Sequence, residues 1–158
     1  MRPLTALLPA GVVGIALAGG CGGDDGAKAL SKSQFIGQAG AICERNKARA
    51  DRAFKREFAV LEHRRPTLAE SQQMLATVLP IIRDSGAAIA KLVPPEGDEE
   101  RIESYLTAHE RAAAEMERIA SEPDRTRALM TGKLEDPFVK PDRIAGAYGI
   151  KKCSGENA

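Results

Sequence analysis

Apolar residues recur at steps of three and four positions along three long stretches of this chain, and this spacing restricts the chain to helices. In the first stretch, from about Lys32 to Glu62, they form one apolar face of a helix. These residues are Phe35, Ala39, Ile42, Cys43, Ala50, Phe54, Phe58 and Leu61. Ser31 or Ser33 is suited to cap this helix. Pro66 ends it, because a residue before proline avoids the helical conformation.

The second stretch has clear signals at both of its ends. Thr67-Leu68-Ala69-Glu70 forms a capping box at the start, and Pro94-Pro95 stops the helix. Pro80 is expected to remove one helical hydrogen bond and kink the helix, and Gly86 leaves space for a neighbour to approach closely. The expected buried face is Leu68, Leu75, Val78, Leu79, Ile82, Ile89, Leu92 and Val93.

The third stretch runs from about Asp98 to Ser121, and its acidic start suits the positive end of a helix dipole. Its apolar stripe is Ile102, Tyr105, Leu106, His109, Ala112, Ala113, Met116 and Ile119. Two shorter helices are expected at 124–132 and 141–148, the second ending at Gly149. No strand pattern competes. We therefore predict an all-α, antiparallel bundle of three long helices plus one or two short C-terminal helices over residues 31–153, followed by a disordered tail at 154–158.

The N-terminus resembles the signal peptide of a bacterial lipoprotein. Residues 1–20 begin with Met1-Arg2 and continue with an apolar segment that is too short for a comfortable membrane span. Ala18-Gly19-Gly20-Cys21 then resembles a lipobox, which implies cleavage before Cys21 and acylation, for example with palmitate, of the mature N-terminal cysteine. Residues 21–30 form an expected flexible tether. The chain is thus predicted to be exported and lipid-anchored, facing the periplasm or the cell exterior.

Ordinary secretion is the alternative interpretation of the same segment. Ala16-Leu17-Ala18 is itself an A-x-A cleavage site, and cleavage there leaves Cys21 as an unlipidated thiol. The sequence does not identify which membrane would receive the anchor.

The charge of the chain is nearly balanced, with 23 basic and 22 acidic residues. Arg2 is the only charged residue of positions 1–20, so the remainder is neutral. A neutral chain has no overall attraction to nucleic acid, and no nucleic-acid partner is expected. The membrane, contacted through the anchor, and an envelope protein are the expected partners.

The chain has three cysteines, and assignment of Cys21 to the lipid anchor leaves two that could pair. Cys43 and Cys153 remain as a pair in an exported chain, where disulfides are stable. We expect a Cys43–Cys153 disulfide; two buried free thiols are the alternative.

Several segments resemble small exported helical lipoproteins of unknown function from high-GC bacteria. They are Phe35-Ile36-Gly37-Gln38-Ala39-Gly40-Ala41-Ile42-Cys43, the break at Leu92-Val93-Pro94-Pro95, and Ala147-Tyr148-Gly149-Ile150 with Cys153. The resemblance implies a disulfide-closed helical bundle, and it implies no activity.

His109 is the residue with most potential as a ligand, because it falls on the apolar stripe of the third helix. A buried imidazole can bind a metal or haem, but the acid of a Glu-x-x-His pair is missing before it. A hydrogen-bonded or partly exposed histidine is the favoured interpretation, and no metal or cofactor is expected. His63 lies at a helix end, where a cation meets the negative dipole.

Four arginines form a basic row on the first helix at steps of four, three and four: Arg45, Arg49, Arg52 and Arg56. One interpretation is contact with anionic lipid or a cell-wall polyanion. The favoured interpretation is a solvated face paired with acids such as Asp51 and Glu57, or with Glu103, Glu110 and Glu117 of the third helix.

The sequence gives little evidence of catalytic motifs. The serines lack a G-x-S-x-G elbow, and no Gly-rich phosphate loop follows a strand. The sequence therefore favours a non-catalytic, membrane-anchored envelope lipoprotein that acts as a binding or accessory module. The alternative is a small-ligand or metal or haem carrier with a pocket between helices near Pro80 and His109.

Overall fold

The computed structural model describes residues 28–59, 61 and 64–155, and this part of the chain is all-helical with five packed α-helices. The helices are α1 (Lys32–Phe58), α2 (Leu68–Ile89), α3 (Glu99–Ser121), α4 (Pro123–Met130) and α5 (Val139–Tyr148). A single 3₁₀ turn, Lys151–Cys153, follows α5. The predicted signal peptide, Cys21, most of the tether, His63 and residues 156–158 lie outside the described residues.

Both expected capping sites are present. Ser31 caps α1 through a capping box with Gln34, and Thr67 caps α2 through a capping box with Glu70. Each pair satisfies two backbone N–H groups that a helix start otherwise leaves unpaired. These caps fix the first residue of each helix where the sequence indicated it.

The other helix boundaries differ from the expected ones by a few residues. The helix α1 ends at Phe58 rather than Glu62, and α2 ends at Ile89 rather than at the prolines. After Ile89 the chain tightens, because the Leu92 N–H donates to the Ile89 carbonyl three residues back. Helix α2 continues through Pro80, whose side chain is exposed.

Helix α2 packs against both α1 and α3, while α3 also contacts α4 and α5. This position explains why Ile81 and Ser85 are buried in addition to the expected apolar face. A helix with neighbours on two sides needs a wider buried surface than a single stripe supplies.

The core contains two apolar clusters. The larger one joins α1, the C-terminal end of α2, α3 and α5, and its buried members are Phe35, Ala39, Ile42, Ile89, Ile102, Tyr105, Ala145, Tyr148 and Ile150. The smaller one consists of Leu79, Ala113 and Met116, with Phe138 among the partly buried side chains packed against it.

The Cys43–Cys153 disulfide is present, with an S–S distance of 2.00 Å and a Cα–Cα distance of 5.3 Å. It joins α1 to the C-terminal turn and encloses most of the described chain. Cys153 lies in the 3₁₀ turn rather than in the extended tail expected from the sequence. The turn follows Gly149, whose φ of 105° ends α5 in the left-handed conformation.

Order continues two residues beyond the predicted domain end at residue 153. Ser154 is buried, and its hydroxyl donates to the Lys151 carbonyl. The Gly155 N–H donates to Oδ2 of Asp142 at 3.1 Å. These contacts hold the end of the described chain against α5.

Candidate functional site

A cavity of about 430 Å³ lies among α1, α2, α3, α5 and the C-terminal turn. Its lining includes Tyr105 from the larger core cluster, and Met116 with Phe138 from the smaller one. The cavity therefore borders both parts of the core and is open to solvent. Its size falls in the range typical of small-molecule sites.

Part of the cavity lining is apolar. Successive turns of α2 supply Val78, Ile81 and Ile82, and Met116 and Phe138 complete this apolar part. Ser85 follows on the next turn of α2, where its Oγ lies 3.8 Å from Sγ of Cys43. The disulfide itself thus forms part of the wall.

Other residues of the cavity lining carry ionisable groups. Asp136 and Asp142 line the cavity together with Lys47 and Lys152. Burial raises the pKa of Asp142 to about 6, and the neighbouring Asp136 charge acts in the same direction. Part of the Asp142 population is therefore protonated near pH 6.

Tyr105 is a buried phenol that lines the cavity, and only 3% of the residue is exposed. Burial raises its pKa to about 12, with a further contribution from the charge of Asp142. Its hydroxyl makes no hydrogen bond to another described residue. Every fully enclosed polar side-chain atom among the described residues has a partner, so the Tyr105 hydroxyl is not fully enclosed. The phenol is thus a neutral hydrogen-bonding group open to the cavity.

His109 lies half-buried between two aromatic rings. Its ring centroid is 5.9 Å from that of Tyr105 and 5.6 Å from that of Phe138. Burial lowers the pKa of the imidazole and so favours its neutral form. His109 lines both the central cavity and a second groove of about 520 Å³ between α2 and α3.

Gly86 provides the space that His109 occupies. A Cβ atom at Gly86 would lie 2.8 Å from Nδ1 of the imidazole, which is closer than real Cβ contacts permit. This is the close approach that the sequence indicated for Gly86. Pro80, in contrast, is exposed and does not line the cavity.

In the part of the chain that the structure describes, no set of side chains is placed to form a metal centre with His109. No group of three His, Cys, Asp or Glu residues there has the geometry to hold a metal ion. The two cysteines are joined to each other.

The basic row on α1 is exposed to solvent at Arg45, Arg49, Arg52 and Arg56. Arg49 bonds Asp84 of α2 at 2.5 Å, and Arg56 bonds Glu57 at 2.7 Å. Glu117 of α3, an expected partner of this row, instead bonds Arg83 of α2 at 2.6 Å. The pair with Glu57 confirms one expected partner, whereas α2 supplies the other partners in place of a direct pairing of α1 with α3.

Three groups of this site are not indicated by the sequence: Asp136, Asp142 and the Tyr105 hydroxyl. Tyr105 fits an ordinary apolar stripe, and both aspartates lie near turn and helix-start signals. The one available signal is the polar tip of Tyr105 on an apolar stripe.

Comparison with protein-family models, curated proteins and solved structures finds no match for this chain. None of the described helices is both long and apolar enough to cross a membrane.

Proposed function

We propose that the protein is an exported, lipid-anchored and non-catalytic binding or accessory module of the bacterial cell envelope. The observation that carries the anchoring is Ala18-Gly19-Gly20-Cys21 after a short apolar segment. The Cys43–Cys153 disulfide supports export, because disulfides persist in oxidising compartments. An envelope protein is the proposed partner. The bundle is proposed to have three long helices that run antiparallel.

The arrangement of polar groups in the cavity supports a binding role over catalysis. A serine nucleophile is commonly activated by a base within hydrogen-bond reach. Among the described residues, Ser85 Oγ contacts the disulfide sulfur of Cys43, and no hydrogen bond joins it to His109. Burial raises the pKa of Tyr105 to about 12, which keeps this phenol protonated at neutral pH.

A small-ligand carrier is the second candidate function, and the cavity favours it. The space of about 430 Å³ combines an apolar wall with a few polar groups, the usual composition of a ligand site. A haem or metal form of this carrier would use His109. That form predicts a metal- or haem-dependent rise in melting temperature that His109→Ala abolishes.

Membrane fractionation tests the anchoring, with Cys21→Ser as the matched variant. We expect the wild-type chain in the membrane fraction and the variant released from it, because only the cysteine can carry the lipid. Crosslinking of the wild-type chain in intact cells should then join it to an envelope protein. Equal distribution of the two chains between fractions would contradict the anchor.

A further inference from the structure

We propose that the cavity binds an amphipathic organic cation, with its ammonium group between Asp142 and Tyr105 and its apolar chain along α2. This inference rests on the carrier function proposed above. It adds the chemical class of the ligand, which neither the N-terminal signal nor the disulfide indicates.

The apolar half of the ligand fits the wall formed by Val78, Ile81, Ile82, Met116 and Phe138. These side chains border a space large enough for a small aliphatic or aromatic group but not for a folded peptide. Transfer of such a group from water to this wall is favourable in proportion to its buried area. The wall therefore selects for an apolar body and provides little further specificity.

The charged half of the ligand is indicated by two neighbouring carboxylates. Asp142 Oδ2 accepts the Gly155 N–H at 3.1 Å, and Asp136 Oδ1 accepts the Phe138 N–H at 2.9 Å. The hydrogen bond from Gly155 holds one oxygen of Asp142 in place, and the Asp142 carboxylate remains part of the cavity lining. Burial and the Asp136 charge both disfavour the ionised form of Asp142. A ligand cation would relieve both effects at once.

Neither lysine that lines the cavity is among the causes that act on the pKa of Asp142. Lys152 Nζ bonds Glu44 at 2.9 Å, on the outer surface of α1. Lys47 also lines the cavity, yet both causes that act on the pKa of Asp142 raise it. A lysine compensating this carboxylate would lower that pKa instead.

Tyr105 is the independent observation that points to a ligand at the same place. It is 97% buried, its hydroxyl makes no hydrogen bond to another described residue, and its side chain lines the cavity. Asp142 is close enough for its charge to act on the phenol. An ammonium group can donate to the phenol oxygen and the Asp142 carboxylate together, whereas a carboxylate ligand would be repelled by both aspartates.

Calorimetry with three probes that share an octyl chain tests the proposal: octylammonium, octanol and octanoate. The protein is the oxidised full chain with Cys21→Ser, so that no acyl group of its own enters the cavity. At pH 7.5 we expect octylammonium to bind at least about tenfold more tightly than octanol, and octanoate to bind most weakly. Asp142→Asn should weaken octylammonium binding about ten- to a hundredfold and change octanol binding less than about twofold.

Two further variants separate the site from general surface charge. Tyr105→Phe should weaken octylammonium binding about two- to tenfold, and Asp51→Asn, an exposed acid outside the cavity, should leave it unchanged. Equal effects of Asp142→Asn and Asp51→Asn, or tightest binding of octanoate, would overturn the cation assignment while the carrier function stands. If none of the three probes binds, both the ligand class and the carrier function are wrong.

Discussion

Gly86 of α2 and His109 of α3 are complementary, since the imidazole occupies the space that a Cβ atom at Gly86 would need. The distance from that Cβ position to Nδ1 is 2.8 Å. His109 is also held between the rings of Tyr105 and Phe138. The close contact of α2 with α3 at this level therefore depends on the absence of a side chain at one position.

Substitution Gly86→Ala is expected to destabilise the protein by about 1 kcal/mol. Overpacking against the imidazole costs about 1–3 kcal/mol, and the better helix propensity of alanine offsets up to about 1 kcal/mol of this. In a His109→Ala background, the same substitution should stabilise the protein by about 0.5–1 kcal/mol. Denaturant unfolding of the four chains measures this reversal, and the same sign in both backgrounds would show that the two residues are not coupled.

Local signals make part of the fold predictable from the sequence. The capping box at Thr67, the left-handed Gly149 and the apolar stripe of α3 each depend on a few neighbouring residues. The close approach at Gly86 is confirmed as well. Helix ends are less predictable: after Ile89 the Leu92 N–H donates to the carbonyl three residues back, which ends the α-helix before the prolines.

The candidate site could not be predicted, because its residues come from elements far apart in the chain. Tyr105 and Asp142 have no characteristic spacing, and their proximity depends on how α3 and α5 pack. The ion pairs that join different helices could not be predicted for a related reason. Arg49 bonds Asp84 because α2 lies beside α1, and the sequence does not specify which helix is adjacent.

Removal of the disulfide should lower the free energy of unfolding by roughly 2–5 kcal/mol. The bond joins residues 110 positions apart, so it restricts a large part of the unfolded chain. The double variant Cys43→Ser/Cys153→Ser is compared with the oxidised protein by urea denaturation. Reductant should destabilise the oxidised protein similarly and leave the double variant unaffected. A reductant effect on the double variant would contradict this explanation.

Removal of the Tyr148 hydroxyl should lower the thermal stability of the protein, whereas removal of the Tyr105 hydroxyl should leave it almost unchanged. Tyr148 Oη donates to Asp98 at 2.8 Å and so links α5 to the start of α3, whereas Tyr105 Oη has no such partner among the described residues. We expect Tyr148→Phe to lower the melting temperature by roughly 3–5 °C and Tyr105→Phe to change it by less than about 1 °C. A larger loss for Tyr105→Phe would show that its hydroxyl has a structural role.

The stability contribution of Asp142 should depend on pH in a specific direction. Its pKa is raised to about 6 in the folded protein, so between about pH 4 and 6 the folded chain binds a proton that the unfolded chain has lost. Stability therefore falls as pH rises through this window. Solvent screening reduces the size of this effect, because the Asp142 carboxyl is partly exposed. Asp142→Asn should therefore stabilise the protein by about 1 kcal/mol at pH 7.5 and by almost nothing at pH 4.

Urea denaturation of both chains at the two pH values measures this difference. Comparison with Asp142→Asn removes the contributions that the two chains have in common. The amide introduced by this substitution retains an oxygen that can accept the Gly155 N–H, so the comparison chiefly reports the charge. An equal stabilisation at pH 4 and pH 7.5 would contradict the raised pKa.

The membrane anchor is the central claim about this protein, and the intact mass of the mature chain tests it most directly. The protein is expressed as the full chain in a bacterial host that processes lipoproteins, extracted with detergent and kept oxidised. We predict a chain that begins at Cys21, with the added mass of acyl groups on its first residue and with Cys43 joined to Cys153. A soluble chain that begins at Gly19, with no acyl mass on Cys21, would contradict the anchor and support ordinary secretion.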